Sequence, residues 1–418
     1  MMQKQALNKN YRNLDNMAKV FSLHKKKNTN MFRYVVILKY KVDEKILKKA
    51  LKETLNEMKP FKVKFANGLF WKYLKLNSKE CIIEKNNEIF LKRINLKSNN
   101  DYLFKVTYYK NKINVDFFHV LTDGIGAMKF LTLIVKNYLN IKYNIKQYTS
   151  KKYYEIHYKD RYLENYNRSF KVSSKSKIGL SLPGKIDETI NNTYHYVIDI
   201  KEIKEVCKKN NVTITEYITA VYIYAMYLSI YNGNIDKEII IEIPIDLRKY
   251  YKVDTLSNFF SCITINPKIL EKKLTSFKEV LNEVNLEFKN KKAINKIKGY
   301  LRRDVKIGKN ILINVIPHFI KCLCIEFFSI LMSKTTTSSV SNVGIFDIGN
   351  EYKKYINNMF VLVIPGRFHK IKCTICSFDN KLNITLNSNI NDKEFQKTFF
   401  GLLSKEISNI KIINDNEN

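Results

Sequence analysis

The pattern of apolar residues changes period several times along this chain, and that succession limits the folds it can adopt. Residues 32–42, "FRYVVILKYKV", are typical of a strand, and the segment after Asp43 repeats apolar residues at helical spacing. Two pairs of strand-like segments follow, one around Asn67-Gly68 and one turning near Asn111. A second helix-like pattern begins after Gly124. This order predicts an α+β architecture, with sheets that carry helices on one face.

A similar order returns after a stretch rich in Ser, Gly and Lys, "KVSSKSKIGLSLPGK", which is the best candidate linker. Beyond it lie a strand, "TYHYVIDI", a short helix, and an apolar helix that a capping box of Thr213 and Glu216 begins. Further strand-like segments and a helix near Asp392 complete the chain. We therefore predict two α+β lobes of comparable size, built from mixed sheets with flanking helices. The predicted units are an N-terminal lobe (1–170), a linker (171–185) and a C-terminal lobe (186–418).

The composition allows a large core and gives the protein a strong positive charge. The 418 residues are 45% hydrophobic, and 73 Lys and Arg against 39 Asp and Glu leave a net charge of +34. Such a field attracts anions, including nucleic acid, anionic lipid and phosphorylated small molecules. The basic residues are spread along the chain, and no zinc-finger or RNP-like motif accompanies them. We therefore expect no specific nucleic-acid partner.

Two apolar segments raise the question of membrane insertion. Tyr217–Tyr231 is short for a span, and Val315–Met332 approaches the required length of about 20 residues only by including His318, Lys321 and Glu326. We expect both segments to be buried helices. The N-terminus lacks the continuous apolar region of a signal peptide. These features predict a cytoplasmic protein, and contact with a membrane surface stays open.

The seven cysteines form an odd set that does not indicate a disulfide scaffold. Cys373 and Cys376 make a CxxC pair, and Cys322 and Cys324 a CxC pair, so zinc ligation has to be considered. The CxxC pair lies in an alternating, strand-like segment, which would direct its two thiols to opposite faces. We expect reduced thiols in the core and no metal site.

His119 stands where a strand-like alternation changes into a helical pattern, in "NVDFFHVLTDGIGAMKFL". Its ring shares a face with the alternating apolar residues of 113–117, and the strand breaks at a turn containing Asp123 and Gly124. A histidine there can project into a cleft and act as a general base. It can equally be a half-buried strand-end residue with no catalytic role. A metal site lacks further ligands at suitable spacing.

Asp123 and Gly124 each allow more than one interpretation from the residues alone. Asp123 could orient the imidazole of His119, or it could hold the loop by pairing with an arginine and accepting backbone N–H bonds. Gly124 would permit a backbone conformation that other residues resist. The "GIG" sequence lacks the full fingerprint of a phosphate-binding loop.

The segment "FFHVLTDGIGAMKFL" resembles the HxxxDG motif of the CoA-dependent acyltransferase superfamily. That superfamily includes chloramphenicol acetyltransferase, peptide-synthetase condensation domains, wax-ester synthases and alcohol acetyltransferases. Other segments agree in the expected order: "LDNMAKVF", "FRYVVILKYKVDEKILKKALKETL" and "GLFWKYL" before the motif, and "IPIDLRKYY", "TLSNFF" and "TTTSSVSNVG" after it. The resemblance covers roughly residues 10–410 and is closest to bacterial alcohol acetyltransferase-like proteins.

The resemblance implies two chloramphenicol acetyltransferase-like lobes with an active-site channel between them. Acyl-CoA, or a thioester on a phosphopantetheinyl carrier, would be the co-substrate, and no cofactor would be bound. A hydroxyl or amine acceptor, a small molecule or a lipid, would enter from the other side. His119 would act as the general base without an acyl-enzyme, Asp123 would be mainly structural, and Gly124 would shape the turn. We infer Arg248, in "PIDLRKY", as the ion-pair partner of Asp123.

The family pattern also points to donors for the oxyanion of the tetrahedral intermediate. Ser341 and Asn342 in "SSVSNVG" are the candidates, although a polar turn or strand crossover explains them equally well. Asn258 in "TLSNFF" is either a structural amide or a channel donor, and we favour the structural role. Two departures from the pattern stand out: Phe118 replaces a first histidine that many relatives carry, and Ser257 replaces a common basic residue.

The function expected from these features is transfer of an acyl group, most simply acetyl, from acyl-CoA to a hydroxyl acceptor. The alternative is a condensation-like domain on the same fold, which depends on a carrier protein, forms amides, or serves only for docking.

Overall fold

The structure is a computed structural model, and its described residues carry an alternation of strands and helices. It describes residues 11–23, 30–86, 91–145, 154, 159–172, 178–187, 192–230, 237–323, 334–391 and 393–414. The strands are β1 (Tyr11–Asn13), β2 (Met31–Leu38), β3 (Val63–Ala66), β4 (Tyr73–Leu76), β5 (Ile83–Lys85), β6 (Phe104–Tyr109), β7 (Lys112–Phe118), β8 (Asn192–Asp199), β9 (Ile241–Asp246), β10 (Phe260–Ile265), β11 (Ser338–Ile345), β12 (Ile356–Val363), β13 (Ile371–Phe378), β14 (Lys381–Ser388) and β15 (Ile410–Asn414). The helices are α1 (Asn16–Leu23), α2 (Glu44–Glu57), α3 (Gly124–Tyr143), α4 (Arg161–Glu164), α5 (Ile200–Lys209), α6 (Ile214–Ile230), α7 (Arg248–Tyr251), α8 (Ile269–Lys272), α9 (Phe277–Lys291), α10 (Ile294–Lys309), α11 (Ile311–Val315), α12 (Asn350–Lys353) and α13 (Glu394–Leu403).

The first lobe is built on a five-stranded sheet of order β12-β2-β7-β6-β5. Strands β6 and β7 form the predicted hairpin, closed by Lys110 and Asn111, with Lys110 in the left-handed region at φ 51°. Helix α2 begins at the predicted cap, where the Asp43 carboxylate accepts from the Ile46 N–H. Helices α2 and α3 pack on each other and on the sheet, and their apolar faces share one core with it. The α+β class predicted from the sequence is confirmed.

Strand β12 joins the first sheet although it comes from the second half of the chain. It runs antiparallel to β2, with Val363 opposite Phe32 and Met359 opposite Val36. This strand lies within the predicted C-terminal unit of 186–418 and contributes to the sheet of the first lobe. Nearly every residue of β2 is buried, so both faces of the strand are covered. An apolar strand of that kind is stable only when both its edges are paired, and β12 supplies the second partner.

Strands β3 and β4 pair antiparallel as predicted, and β1 adds a third strand to this small sheet. The connection between β3 and β4 is longer than the Asn67-Gly68 signal indicates. Ala66 pairs with Tyr73, so the six residues 67–72 form the loop. The dipeptide therefore marks the start of the loop and does not form a two-residue turn.

The second lobe is built on a seven-stranded sheet of order β10-β9-β11-β13-β14-β8-β15. The capping box that begins α6 is present: the Thr213 N–H donates to Glu216 Oε2 at 2.9 Å, and the Glu216 N–H donates to Thr213 Oγ1 at 3.3 Å. Helix α6 is buried over most of the described part of the predicted apolar segment, and Leu228 in its last turn is exposed. The edge strand β15 is not predicted from the sequence, because its short apolar run carries no turn signal.

The CxxC pair lies on β13, and its thiols point to opposite faces as predicted. Cys373 lies in the core of the second lobe, whereas Cys376 belongs to the core of the first and donates to the Met359 carbonyl at 3.5 Å. Cys322 is buried, and Cys324 lies outside the described residues. Within the described part of the chain, no three His, Cys, Asp or Glu side chains come together as a metal site would require.

The apolar segment Val315–Met332 does not behave as the predicted buried helix over its described part, which ends at residue 323. Phe319 and Leu323 are exposed, whereas Lys321 is buried and its Nζ donates to the Phe70 carbonyl at 2.9 Å. Ile320 is also exposed, and the loop 69–71 covers the side of the segment that carries Lys321. Among the residues that the structure describes, no helix combines the length and the apolar character that crossing a bilayer requires.

The two lobes meet where the free edge of β12 lies against one face of the second sheet. Thr374 Oγ1 of β13 donates to the Val361 carbonyl, and Cys376 Sγ to the Met359 carbonyl two residues along. We call the face that carries Thr374 and Cys376 the interlobe face of the second sheet. Because the hydrogen bonds come from side chains on this face to a strand of the first sheet, they hold the two lobes in one register.

Candidate functional site

His119 lies immediately after β7, at the junction of the two lobes. Its backbone N–H donates to the Asn30 carbonyl at 2.9 Å, which fixes the chain as it leaves the sheet. The half-buried imidazole packs among three aromatic rings, with centroid distances of 4.5 Å to Phe21, 5.0 Å to Phe32 and 5.5 Å to Phe260. Phe260 belongs to the second lobe, so residues of both lobes surround this histidine.

The side-chain amide of Asn258 determines which nitrogen of His119 carries the proton. Its Nδ2 donates to the His119 carbonyl at 3.0 Å and to Asp15 Oδ2 at 3.2 Å. Because a carbonyl can only accept, the amide nitrogen must lie on that side and Oδ1 must face the ring. His119 Nδ1 lies 3.0 Å from Asn258 Oδ1 and must therefore be the protonated nitrogen. This tautomer leaves Nε2 with a free lone pair.

The surroundings of His119 favour the neutral imidazole. Burial lowers the pKa of His119 below its ordinary value, and the negative charge of Asp123 and the hydrogen bond that Nδ1–H donates to Asn258 oppose that effect only in part. A histidine in this state can accept a proton through Nε2 at neutral pH. The group thus has the protonation state and the tautomer that a general base requires.

Asp123 forms an ion pair with Arg248. The hydrogen-bond partner of the His119 imidazole is Asn258 and not Asp123. Arg248 NH1 lies 2.9 Å from Asp123 Oδ2, and NH2 lies 3.0 Å from Oδ1, so the contact is bidentate. The same carboxylate caps α3 by accepting from the Gly126 N–H at 3.1 Å, and it also accepts from the Phe259 N–H at 2.9 Å. Asp123 therefore holds the turn after His119 against the second lobe.

Arg248 is almost fully buried, and each of its five N–H groups has an acceptor. Two donate to Asp123, and the others donate to the Thr255 carbonyl at 3.0 Å, Asp246 Oδ1 at 3.0 Å and the Ser257 carbonyl at 2.7 Å. Burial alone would lower the pKa of Arg248, but the two carboxylates raise it above its ordinary value. The guanidinium thus fixes the segment 255–257, which leads directly into Asn258.

Gly124 and Gly126 differ in what they require of the backbone. Gly124 opens α3 without a left-handed φ, so the predicted conformational role of this glycine is not observed. A Cβ there would lie 3.2 Å from the Tyr34 hydroxyl, which donates to the Gly124 carbonyl. At Gly126, by contrast, a Cβ would lie 2.1 Å from Thr122 Oγ1 and 2.5 Å from the Leu256 carbonyl oxygen. The close approach of the two lobes therefore requires the glycine at 126.

Gly126→Ala should destabilise the protein by about 1–3 kcal/mol, because the new methyl group forces α3 away from the backbone of Leu256. Gly124→Ala is the matched control and should cost less, since its neighbours need to move only slightly. Chemical denaturation of the two variants measures the difference. A Gly124→Ala variant that is less stable than Gly126→Ala would contradict this assignment.

Ser341 and Asn342 lie on β11, where the strand crosses the interlobe face. Asn342 is exposed, donates from Nδ2 to Thr215 Oγ1 at 2.9 Å and accepts from the Gly344 N–H at 2.9 Å. Ser341 is half-buried and lies opposite Thr374 of β13. Among the described residues, no hydrogen bond joins either side chain to His119. The structure thus brings Asn258, Asp123 and Arg248 to the histidine, but not these two donors.

A cavity of about 1090 Å³ opens between the lobes beside this site. Its walls come from α3, from Ile125 onward, and from β9 and the end of β11, and they include Asn342. His119 is not part of the wall, and the nearest wall residue along the chain is Ile125, six residues after it. The wall is polar as well as apolar, and its charges are mixed. The basic side chains are Lys129, Lys136, Lys249 and Lys292, and the acidic ones are Glu57, Asp246, Asp347 and Glu351.

Two functional-site contacts come from the N-terminal segment and were missed in the sequence. Asp15 caps α1 by accepting from the Ala18 N–H at 2.7 Å, and its other oxygen accepts from Asn258. Burial raises the pKa of Asp15 to about 7. Arg12 NH1 donates to Ser257 Oγ at 3.2 Å, so a cation does lie at the position where the chain lacks the common basic residue. The capping position of Asp15 is readable, but its contact with Asn258 depends on the tertiary fold.

Comparison with known proteins agrees with this architecture. Residues 185–262 match the alcohol acetyltransferase family. No curated protein matches the sequence of the chain. The structure is similar to TRI3 trichothecene 15-O-acetyltransferase from Fusarium sporotrichioides, at 10% identity, a TM-score of 0.61 and 94% coverage of each chain. It is also similar to F. graminearum TRI101 in complex with coenzyme A and T-2 mycotoxin, at 10% identity, a TM-score of 0.61, and coverage of 96% of this chain and 99% of that one.

A third similar structure is the starter condensation domain of rhizomide synthetase RzmA in complex with C8-CoA. It is 10% identical, with a TM-score of 0.59 and coverage of 96% of this chain and 95% of that one. At such identities the likeness establishes the fold. The two-lobed arrangement expected from the HxxxDG resemblance is confirmed, and it extends over nearly the whole chain.

Proposed function

Because the chain has the fold of CoA-dependent acyltransferases and condensation domains, and matches the alcohol acetyltransferase family over residues 185–262, we propose that it transfers an acyl group from acyl-CoA to a hydroxyl. The acyl group is most simply acetyl, and His119 is the general base. The observation that carries this proposal is the contact between His119 Nδ1 and Asn258 Oδ1, which leaves Nε2 as the basic nitrogen.

The proposed reaction needs one proton relay and no covalent enzyme intermediate. Nε2 of His119 removes the proton of the acceptor hydroxyl as its oxygen attacks the thioester carbonyl, and a tetrahedral intermediate forms. Collapse of the intermediate breaks the C–S bond, and the imidazolium returns the proton to the departing CoA sulfur. The Asn258 amide oxygen stays on Nδ1–H throughout and stabilises the imidazolium when it forms.

The other predicted residues take supporting roles in this proposal. Asp123 and Arg248 position the turn and the Asn258 segment and do not touch the substrates. Ser341 is the better of the two oxyanion candidates, because its half-buried hydroxyl lies on the interlobe face. The Asn342 amide already bonds Thr215 and Gly344. The cavity between α3, β9 and β11 is the proposed space for the part of a substrate that extends from the reacting centre.

A condensation-like reaction is the second candidate, and the likeness to a starter condensation domain favours it. The purified protein with acetyl-CoA and a panel of alcohols and amines separates the two. Ester formation with stoichiometric CoA release supports the first candidate. Turnover that needs a carrier-bound thioester, with none from free acyl-CoA, would replace it with the second.

The acidic limb of the kcat/KM profile should fall with a midpoint below about 6.5, the ordinary histidine value. The base must be neutral to act, so activity is lost as the pH drops through the pKa of His119, which burial lowers. Asp15 also titrates in this network, with a pKa of about 7. The fall of kcat/KM at low pH should therefore persist in the Asp15→Asn variant, which lacks this second titrating group. A midpoint above 7 in both proteins would contradict the assignment.

A further inference from the structure

Polar side chains form a continuous row across the interlobe face of the second sheet. Glu242 of β9 lies directly opposite Ser339 of β11, and Ser339 lies opposite Lys372 of β13. The row continues from Lys372 to Asn387 of β14 and from Asn387 to Thr193 of β8. Residues directly opposite one another in a sheet share a face, so all five side chains project to the same side. We call these five residues the polar row.

The side to which the polar row projects faces the first lobe. The flanking residues Ile241, Cys373 and Leu386 belong to the core of the second lobe, so the alternate positions point away from that core. The polar row shares its face with Thr374, whose hydroxyl reaches β12. The row therefore lies in the space between the lobes.

Lys372 lies at the level of His119. Cys376 of β13 bonds Met359 of β12, and Thr374, two residues earlier on β13, bonds Val361, two residues later on β12. The next step of two residues along both strands places Lys372 beside Val363. Val363 is paired with Phe32 on β2, and the Phe32 ring lies 5.0 Å from the His119 ring, centroid to centroid. The positive charge of Lys372 also acts on His119 and lowers its pKa.

The ammonium of Lys372 has no partner among the described residues. Its Nζ makes no hydrogen bond or close ion pair with them. Burial lowers the pKa of Lys372, and the charge of Glu242 opposes that effect only from two strands away, at a backbone separation of about 10 Å. Its neighbour Asn387 is 1% exposed, donates to Thr193 and leaves Oδ1 without a partner. A half-buried charge next to a buried, unpartnered amide oxygen is costly unless a polar ligand completes the site.

We propose that the polar row is part of the acceptor site and that Lys372 binds a carboxylate carried by the acceptor. This inference rests on the proposed acyltransferase function and narrows its acceptor to hydroxy acids. The phosphates of CoA lie at the far end of the pantetheine arm from the reacting thioester, so the donor does not place an anion at this level. A single ammonium matches a monoanion, whereas a phosphate dianion would need more donors.

A panel of hydroxy acids, each matched with its primary amide, tests this proposal. Lactate against lactamide and 4-hydroxyphenylacetate against 4-hydroxyphenylacetamide keep the hydroxyl and remove only the charge. We expect the wild-type protein to prefer the acid by roughly 10- to 100-fold in kcat/KM, the range for hydrogen bonds to charged groups. Lys372→Met should abolish the preference, and Lys372→Arg should retain part of it. Lys411→Met, on the exposed face of β15, is the matched control for net charge and should behave as wild type.

Calorimetric binding of the same pairs, without an acyl donor, separates this inference from the proposed function. Tighter binding of the acids, lost in Lys372→Met, supports the carboxylate site even if no acceptor is acylated. Turnover without any acid preference in the wild-type protein overturns it, and that result does not depend on whether the variant folds. An equal loss of kcat for acids and amides in Lys372→Met would also overturn it, because Lys372 would then act on the oxyanion.

Discussion

His119→Ala is expected to lower the rate of CoA release with acetyl-CoA and a productive acceptor by about 10²- to 10⁴-fold, the usual contribution of a general base. The variant loses the nitrogen that is placed to act as a base, since Asn258 holds Nδ1 and leaves Nε2 with its lone pair. The KM for acetyl-CoA should change much less than kcat, because the imidazole acts on the acceptor proton. Product analysis by mass spectrometry confirms that an ester forms.

The control for this prediction is a second half-buried histidine. His318→Ala alters the start of the helical segment at residues 318–323, whose backbone contacts the loop between β3 and β4. Among the described contacts none joins His318 to His119, so this variant should keep wild-type turnover. Both variants should retain the wild-type thermal midpoint to within a few degrees, so that lost activity is not lost folding. Turnover of His119→Ala within fivefold of wild type would remove the general-base mechanism.

Arg248→Met is expected to have the largest effect on stability, lowering the free energy of unfolding by about 3–5 kcal/mol. The methionine leaves the buried carboxylate of Asp123 and the half-buried carboxylate of Asp246 without their shared cation. It also leaves the Thr255 and Ser257 carbonyls without donors. Chemical denaturation followed by circular dichroism measures the loss, and catalysis should fall with it because Asn258 loses its support.

The matched control is a lysine–carboxylate ion pair that joins the lobes at the protein surface. Lys129 Nζ lies 2.6 Å from Asp254 Oδ1, and both side chains are substantially exposed. Lys129→Met should therefore cost less than about 1 kcal/mol. If Arg248→Met lowers the free energy of unfolding no more than Lys129→Met does, the buried ion pair does not hold the lobes together. The double variant Asp123→Asn/Arg248→Met should be more stable than Arg248→Met. In the double variant, residue 123 no longer carries a buried negative charge that has lost its arginine.

Much of the local structure is predictable because its causes lie within a few residues. The Asp43 cap, the Thr213–Glu216 capping box and the opposite faces of Cys373 and Cys376 each depend on spacing along one helix or strand. The position of His119 at a strand end follows from the same alternation. The partnership of Asp123 with Arg248 was inferred from the family resemblance, since spacing does not distinguish one arginine from another.

The rest depends on contacts between distant segments. Asn258 reaches His119 from 139 residues away, and Asp15 reaches Asn258 across 243. No periodicity in the chain encodes which amide will meet which ring. The requirement for a glycine falls on Gly126, two residues from the position that the motif emphasises, because the limiting atom is the Leu256 carbonyl oxygen of the other lobe. The polar row is likewise invisible in the sequence, since its five members come from five strands.

The pairing of β12 with β2 also sets the order in which the protein can be completed on the ribosome. β2 ends at Leu38 and its edge partner begins at Ile356, so the first sheet keeps an open edge until more than 300 further residues have been made. During that interval the nascent chain presents an apolar strand that other chains can pair with. After completion, the same strand ties one lobe to the other. Any wide separation of the lobes would have to break either the pairing of β12 with β2 or the side-chain hydrogen bonds that join β12 to the second sheet.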